Sequence, residues 1–518
     1  MRKIAVIDCE TDPFVYGRVP KPFLWAYYDG TEFLTFGSTD ALLAYIKDKR
    51  EYIYAHNGGK FDFHYLLPHV KNHSSALIIN GRVVQFKLGR AILRDSYAIL
   101  PIPLADYQKD TIDYAKFEAN VRNQYMNEII DYLHGDCVYL YQLVTAFINE
   151  FGNRVTLAQA AFKRARQLDG IATFQTNSLF YNIFKPYYHG GRVSIFHHGI
   201  VSGKTYIYDI NSAYPFAMIH KHPFGNTVNI KNAHFTIDTN SFYVVECDSF
   251  GAYPLLEKRQ LSYPDDGARR IFHVTGYELD ATQQEFHNAN GIIRKQIRFT
   301  DAVSFDAYVA HYYERKRKAA KHSIDYILAK LAMNSVYGKL AANPDRYFDY
   351  IICETAKAQK LRGDTGTIVY WNEHFAIIAK PLDESRKRFY NIATGASITG
   401  FVRAMLWSTV RRIRNLGWTV YYCDTDSIIT DYPYMETSDA LGGWKLEQTN
   451  DMLYLYAPKV YAARSIDGKW KTASKGVRLT AQQIQSLCNG ASVTWKNDAP
   501  TFSVGAEPKF IIRRLGNV

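Results

Sequence analysis

The 518-residue chain has no run of about 18 apolar residues, so nothing in it reads as a membrane-spanning helix. Cysteine is scarce. Cys9, Cys137, Cys247, Cys353, Cys423 and Cys488 are scattered without a C-x-x-C pair, which argues against a zinc site or disulfide framework and points to a reducing compartment. Internal repeats and long low-complexity segments are also missing. The opening MRKIAVIDCETD starts basic, but acids cut its apolar run short, so it reads as a first strand and not as a signal peptide. Acidic side chains are the minority, with 50 Asp+Glu against 62 Lys+Arg and a net charge of +12. That excess suits a polyanionic partner. With 47% hydrophobic and 15% aromatic residues the chain is not disordered, and its length predicts roughly two to four domains.

What the chain does have is a series of short apolar strands that end in acids. KIAVIDCE opens it, EYIYAHNGGKFDFHYLL follows, and NEIIDYLHGDCVYLYQLVTAFINEF has the spacing of an amphipathic helix. KTYIYDINSAYP reads as a further strand, leading into a β-rich, loop-rich segment that runs to about Phe299. The most helical part is FDAYVAHYYERKRKAAKHSIDYILAKLAMNSVYGKLAANP, whose basic middle is either a turn or a solvated helix face. Strands alternating with helices predict a mixed α/β, multidomain fold.

The run TVYYCDTDSIITDY, residues 419–432, sets Asp424 and Asp426 at the crest of an apolar, β-prone stretch. Residues two apart on a strand point the same way, so the pair should repel, and no Lys or Arg within the run answers it. Either the tip only supplies turn residues, or it holds a divalent cation with hard oxygen ligands. Asp209, at the end of YIYD, taken alone is a helix cap. Brought to one sheet edge with Asp424 and Asp426, it would complete a site for two Mg²⁺ ions about 3.5 to 4 Å apart. Between them, KLAMNSVYGK puts Lys330, Asn334 and Tyr337 on one face of a continuous helix. A solvated face is one explanation; the other is a triphosphate neutralised by Lys330 and a base packed on Tyr337. GIVSGKT, residues 199–205, is one residue short of a phosphate-cradling loop and leads into a strand, so it is not an ATPase motif.

DINSAYP, KLAMNSVYGK, YCDTDSI and PKVYA stand in the order and spacing of the polymerase motifs of family B DNA polymerases, and the chain resembles that family over nearly its whole length. The resemblance implies Asp209 and Asp426 as metal ligands, Asp424 as a supporting acid, and Lys330, Asn334 and Tyr337 in the nucleotide site. It places Tyr214 under the incoming sugar, where it excludes a ribose 2′-hydroxyl, Lys318 as a second phosphate contact, and Lys459 and Tyr461 on DNA. Tyr188, Gly190 and Gly191 of YHGG match a Y-x-G-G element that contacts the template. Thr399 and Arg403 of TGFVR match T-x-x-[AG]-R, with Val402 in place of the usual small residue and Arg403 positioned for phosphate.

In the first third, Asp8 and Glu10 of VIDCET, Asp62 of HNGGKFD, and Tyr132 and Asp136 of YLHGD resemble the three motifs of a DEDDy-type 3′-5′ exonuclease. The likeness implies four acids on two metals, Tyr132 orienting the attacking water, Lys109 assisting, and Asn57, Phe61, Ser96 and Tyr97 holding a frayed 3′ end. Asn57 and Asp62 stand one residue further apart than in some members of that group.

KPFLWAYYDG, YAHNGGKFDF, DSYAILPIPLA, GASITG and TWKNDAPTFS are similar to the protein-primed branch, the replicases of phages and plasmids with linear genomes, and within it to the tectivirus type. On that resemblance 1–155 is an RNase H-like exonuclease domain, 156–219 and 392–473 the palm of a right-hand polymerase, 307–344 its fingers and 474–518 its thumb. Insertions at 220–306 and 345–391 would serve a terminal protein and the downstream DNA. The implied activity is DNA synthesis from dNTPs on a template and primer strand with two Mg²⁺ per site, or Mn²⁺ in their place. Initiation on a terminal-protein hydroxyl, proofreading and strand displacement are implied with it. So are a monomer in the host cytoplasm, no membrane contact, and a single-stranded DNA-binding protein as partner. The alternatives are a nucleic-acid-primed family B polymerase and an exonuclease with an inactive polymerase body.

Overall fold

The computed structural model describes residues 2–71, 73–172, 176–230, 236–504 and 506–516. Strand Lys3–Thr11 is largely buried, as its apolar run allows, and pairs in parallel with Glu51–Ala55, which in turn pairs in parallel with Ala91–Asp95. Around this centre a ten-stranded sheet builds out, with Pro22–Tyr28 and Phe33–Phe36 on one side and Arg82–Leu88 and His73–Ile79 on the other. Its far edge comes from much later in the chain. Phe348–Glu354 pairs antiparallel with His73–Ile79 and brings Phe375–Pro381 and Thr367–Trp371 with it. Helix Met126–Phe151 buries Ile129, Leu133, Cys137, Leu140, Val144 and Phe147 at helical spacing.

A second, seven-stranded sheet runs in the order Trp470–Ser474, Val460–Ser465, Trp444–Ala457, Gly199–Ile210, Ser427–Thr430, Val420–Asp424, Val193–Ile195. GIVSGKT lies wholly within strand Gly199–Ile210, as its rejection as a phosphate loop requires. Helix Ile392–Asn415 belongs to the same hydrophobic core as this sheet and also meets a four-stranded sheet of His222–Ile230, Ile292–Val303, Ser241–Asp248 and Arg269–Thr275. Gly400 permits that meeting, because a Cβ there would stand 2.3 Å from Thr275 Oγ1.

The basic middle of the helical region is both things the sequence allowed. Helix Asp306–Lys318 ends on Arg315, Lys316, Arg317 and Lys318, where cations suit the helix C-terminus, and the chain turns before Ile324–Met333 begins. At the C-terminal end, Phe502 is buried among Phe61, His64 and Tyr65, and Val504 N donates to Gly81 O at 3.1 Å. The last segment is thereby docked on the first sheet. Among the described residues no helix is long and apolar enough to cross a membrane.

Candidate active sites

Strands Val420–Asp424 and Ser427–Thr430 form a hairpin joined by Thr425 and Asp426, with Asp424 paired to Ser427. Ser427 in turn pairs with Asp209 on the next strand, and Ile210 N donates to Asp426 O at 2.7 Å. Asp209 and Asp426 therefore meet at one end of the sheet. Asp424 lies close enough to raise Asp426 but turns to a cation of its own. Thr425 has a left-handed backbone (φ 61°), so the two acids of the run do not share a strand face as alternation predicts. Asp424 is instead held by Lys459 Nζ, which donates to both carboxylate oxygens, and by Tyr422 Oη at 3.2 Å. The cation absent from the run comes from 33 residues beyond Asp426. Lys459 is thus engaged with Asp424, while Tyr461 packs on Tyr422 at 5.3 Å.

No basic side chain is ion-paired with Asp209 or Asp426 among the described residues. Burial and the neighbouring Asp209 and Asp424 push Asp426 up to about 7, and burial and Glu447 push Asp209 up to about 6. A pair of hard oxygen donors short of positive charge fits Mg²⁺.

Tyr214 follows Ser212, itself left-handed (φ 55°), and its ring stacks on Tyr337 with centroids 4.2 Å apart and planes 14° from parallel. Lys316 reaches Ser212 Oγ at 3.1 Å, so it is Lys316, missed by the sequence reading, that faces this centre. Lys318, near the end of the same helix, is exposed and paired with Glu314 at 3.1 Å. Lys330, Asn334 and Tyr337 do not share one continuous helix. Asn334 Nδ2 and Ser335 Oγ donate to the carbonyls of Lys330 and Leu331, helix Ile324–Met333 stops there, and a new helix starts at Val336–Leu340.

Arg403 is the clearest correction. Only 2% exposed, it is ion-paired with Glu278 at 2.7 Å and donates to His189 O and Gly190 O, so it cannot touch a phosphate. Thr399 is equally buried and accepts from Arg403. Both therefore hold the Y-x-G-G loop from behind. Gly191 of that loop lies against the catalytic turn, where a Cβ would come 2.6 Å from Thr425 Cγ2, while Gly190 is exposed and Tyr188 half-buried near Tyr337. The second glycine makes room for Thr425.

The other acidic centre lies in the first sheet. Asp8 and Glu10 alternate on strand Lys3–Thr11, Asp62 begins helix Asp62–Leu66, and Tyr132 and Asp136 share a face of helix Met126–Phe151. Lys109 Nζ donates to Asp136 Oδ2 at 2.9 Å and sits 5.2 Å from the Tyr132 ring centroid, while Tyr132 Oη bonds Tyr114 Oη at 3.1 Å. Burial raises Asp8 well above the carboxylate range, with Asp62 and Glu10 adding to it. Burial and Asp136 push Glu10 up to about 8, and burial pushes Asp62 up to about 6. Asp62 Oδ1 and Asp136 Oδ1 are buried without a hydrogen-bond partner, which is the room a cation would fill. Among the described residues no three such groups already stand as a closed ligand set.

A cavity of about 1050 Å³ opens over Asp8, Glu10 and Asp136 and is lined as well by Arg478, Trp495 and Asn497. A second, of about 490 Å³, contains Asn57, Phe61 and Asp62; Phe14, an exposed ring 5.7 Å from Phe61, lines both and was not singled out from sequence. Asn57 Oδ1 accepts from Arg82, which also binds Asp95 and lies 4.6 Å over the Tyr97 ring. Ser96 is fully buried, its hydroxyl bonded to Ala55 O and His56, and is corrected as a contact to a DNA end.

Two acidic centres on one frame, one at a three-strand edge beside stacked tyrosines and one in a large cleft, stand on the fold of a right-hand polymerase body joined to an exonuclease-type domain. The chain belongs to the family described as DNA polymerase type B, organellar and viral, which it matches over residues 102–388, and it is a DNA-directed DNA polymerase. It is 35% identical to the DNA-directed DNA polymerase of Enterobacteria phage PRD1 over 99% of this chain and 98% of that one. It is 23% identical to the DNA polymerase of Bacillus phage Nf over 81% and 77% of the two chains. Its fold matches that of phi29 DNA polymerase complexed with primer-template DNA at a TM-score of 0.76, with 17% identity and all of both chains covered.

Two outcomes are expected from this geometry. Glu278→Gln and Arg403→Met should each destabilise the fold by about 3 to 5 kcal/mol, since either leaves a buried charge alone, and the double variant should recover part of that loss; additive losses in a denaturant titration would contradict the pairing. The second concerns Glu10 and Asp62, whose ordinary values of 4.5 and 3.8 lie below their folded ones. Their contribution is complete below about pH 4 and is lost as pH rises through about 6 and about 8. In EDTA the Glu10→Gln, Asp62→Asn protein should gain stability over the parent as pH rises, and parallel melting curves would sink the assignment.

Proposed function

We propose that the chain replicates a linear viral or plasmid genome, extending DNA from dNTPs and starting on a hydroxyl of a terminal protein, with 3′-5′ proofreading and strand displacement. The observation that carries the synthetic reading is the meeting of Asp209 and Asp426 with no ion pair among the described residues, while Asp424 is neutralised by Lys459. Asp209 and Asp426 would hold two Mg²⁺ ions, which when bound lower the pKa of the attacking hydroxyl and offset charge on the phosphates. Lys316 and Lys330 face the triphosphate as point charges. Tyr214, stacked on Tyr337, would lie under the sugar and exclude a 2′-hydroxyl. Asp8, Glu10, Asp62 and Asp136 would hold the metals of the second centre, Tyr132 orients water there, and Lys109 fixes Asp136. Asn57, Phe61 and Tyr97, with Phe14, cradle a single-stranded end. Residues 220–306 and 345–391 are read as the insertions for the terminal protein and downstream DNA, and the host cytoplasm as the place of action.

Asp426→Asn should lower primer extension at least about 100-fold while leaving degradation of single strands, and Asp8→Ala with Asp62→Ala should do the reverse. Extension by the Asp426 variant at the parent's rate would remove the reading. Tyr214→Val should admit ribonucleotides, seen as extension with rNTPs; unchanged sugar discrimination would take the gate role from Tyr214.

A further inference from the structure

Arg192, the residue after the Y-x-G-G loop, is 2% exposed and, among the described residues, has no carboxylate partner. Buried guanidinium groups ordinarily have one, as Arg403 has Glu278. Arg192 Nη1 instead donates to Gly251 O at 2.6 Å, and its guanidinium lies 4.2 Å from the Tyr263 ring centroid, 4.5 Å from that of Trp407 and 5.6 Å from that of Phe196. Its Nε is buried and unpartnered, and the group also meets the Cys423 thiol beside the tip of the catalytic hairpin. The carbonyl of the same residue accepts Thr425 N at 2.6 Å. One residue thus has its side chain clamped by 251–263 and the long helix, and its backbone clamped to the left-handed residue that parts Asp424 from Asp426.

We infer that Arg192 is a positioning residue for the catalytic turn, and that through it the segment around Gly251 and Tyr263 sets the placement of Asp426. The inference rests on the polymerase reading above. Arg192 touches neither solvent nor the stacked Tyr214 and Tyr337, so loosening it displaces the carboxylate and leaves the nucleotide and DNA contacts in place. The signature is a loss in kcat at constant dNTP KM. A purely structural role would lower both activities of the protein together.

The test compares full-length Arg192→Met, Arg192→Lys and Tyr263→Ala in single-nucleotide incorporation and in degradation of single-stranded DNA. Arg192→Met should lose about 10- to 100-fold in kcat, with dNTP KM and single-strand degradation held within about twofold. Tyr263→Ala should lose less, and Arg192→Lys, which keeps the charge, should recover part of the Met variant's loss. Unchanged kcat in Arg192→Met, or equal losses of both activities in all variants, would overturn the inference. Should Arg192→Met fail to fold, Tyr263→Ala decides alone: it removes one wall of the cage from outside the seven-stranded sheet, and an unchanged kcat there overturns the inference too. A parent protein that does not extend primers would remove the polymerase reading instead.

Discussion

The left-handed backbone at Thr425 holds two neighbouring carboxylates apart, and the centre around it is arranged to keep it so. A non-glycine residue in that conformation is strained by roughly 1 to 3 kcal/mol and persists only when its surroundings over-determine it. Here they do. Gly191 leaves space that no other residue would, Arg192 O takes the Thr425 N–H, and Thr425 Oγ1 donates back to Asp424 at 3.1 Å. With the turn fixed, Asp424 meets Lys459 and Asp426 meets Asp209. One acid is neutralised and the other is left beside a like charge.

The second centre repeats that division with unrelated elements. Lys109 takes Asp136 as Lys459 takes Asp424, and Asp8, Glu10 and Asp62 are left crowded and buried. Three buried carboxylates with no ion pair of their own among the described residues favour protonation in the folded chain, because burial outweighs the distant pull of Lys109. In both places a single lysine orients one acid and leaves the deficit of positive charge at the remaining ones. The deficit is where a divalent cation gains most.

The crest acids Asp424 and Asp426 were legible as an unanswered pair in an apolar run, whereas the acids of the first centre were legible only through their resemblance to exonuclease motifs. The mixed α/β architecture was legible because strand and helix periodicities alternate along the chain. What alternation alone could not supply was the sign of one φ angle, so Asp424 and Asp426 were read as sharing a face. Long-range partners were hidden as well. Nothing local to Arg403 announces Glu278, 125 residues away, and the T-x-x-[AG]-R pattern suggested phosphate where the fold buries an ion pair. The break after Met333 had a signal, since Asn334 and Ser335 are the residues that bond back to a preceding turn, but the unbroken apolar spacing on either side masked it. Lys316 and Lys318 differ by two positions on one helix, and only the docking of that helix decides which faces Ser212.

That docking ties the two centres together. Helix Met126–Phe151 carries Tyr132 and Asp136 near its start and Glu150 at its end, and Glu150 binds both Arg315 at 2.7 Å and Tyr312 Oη at 2.8 Å on the helix that bears Lys316. The 14 residues from Asp136 to Glu150 span about 21 Å of helix. A continuous helix of that length does not shorten or flex at low cost. The same N-terminal body is held at its other edges by Phe348–Glu354 in the ten-stranded sheet and by Phe502 among Phe61, His64 and Tyr65. Three separate attachments, a helix, a sheet edge and an aromatic cluster, oppose rotation of one centre toward the other. On the proposed function, an end that leaves the synthetic centre for the hydrolytic one must therefore travel as a strand across a fixed frame, unpaired, into the cleft between Phe14 and Trp495.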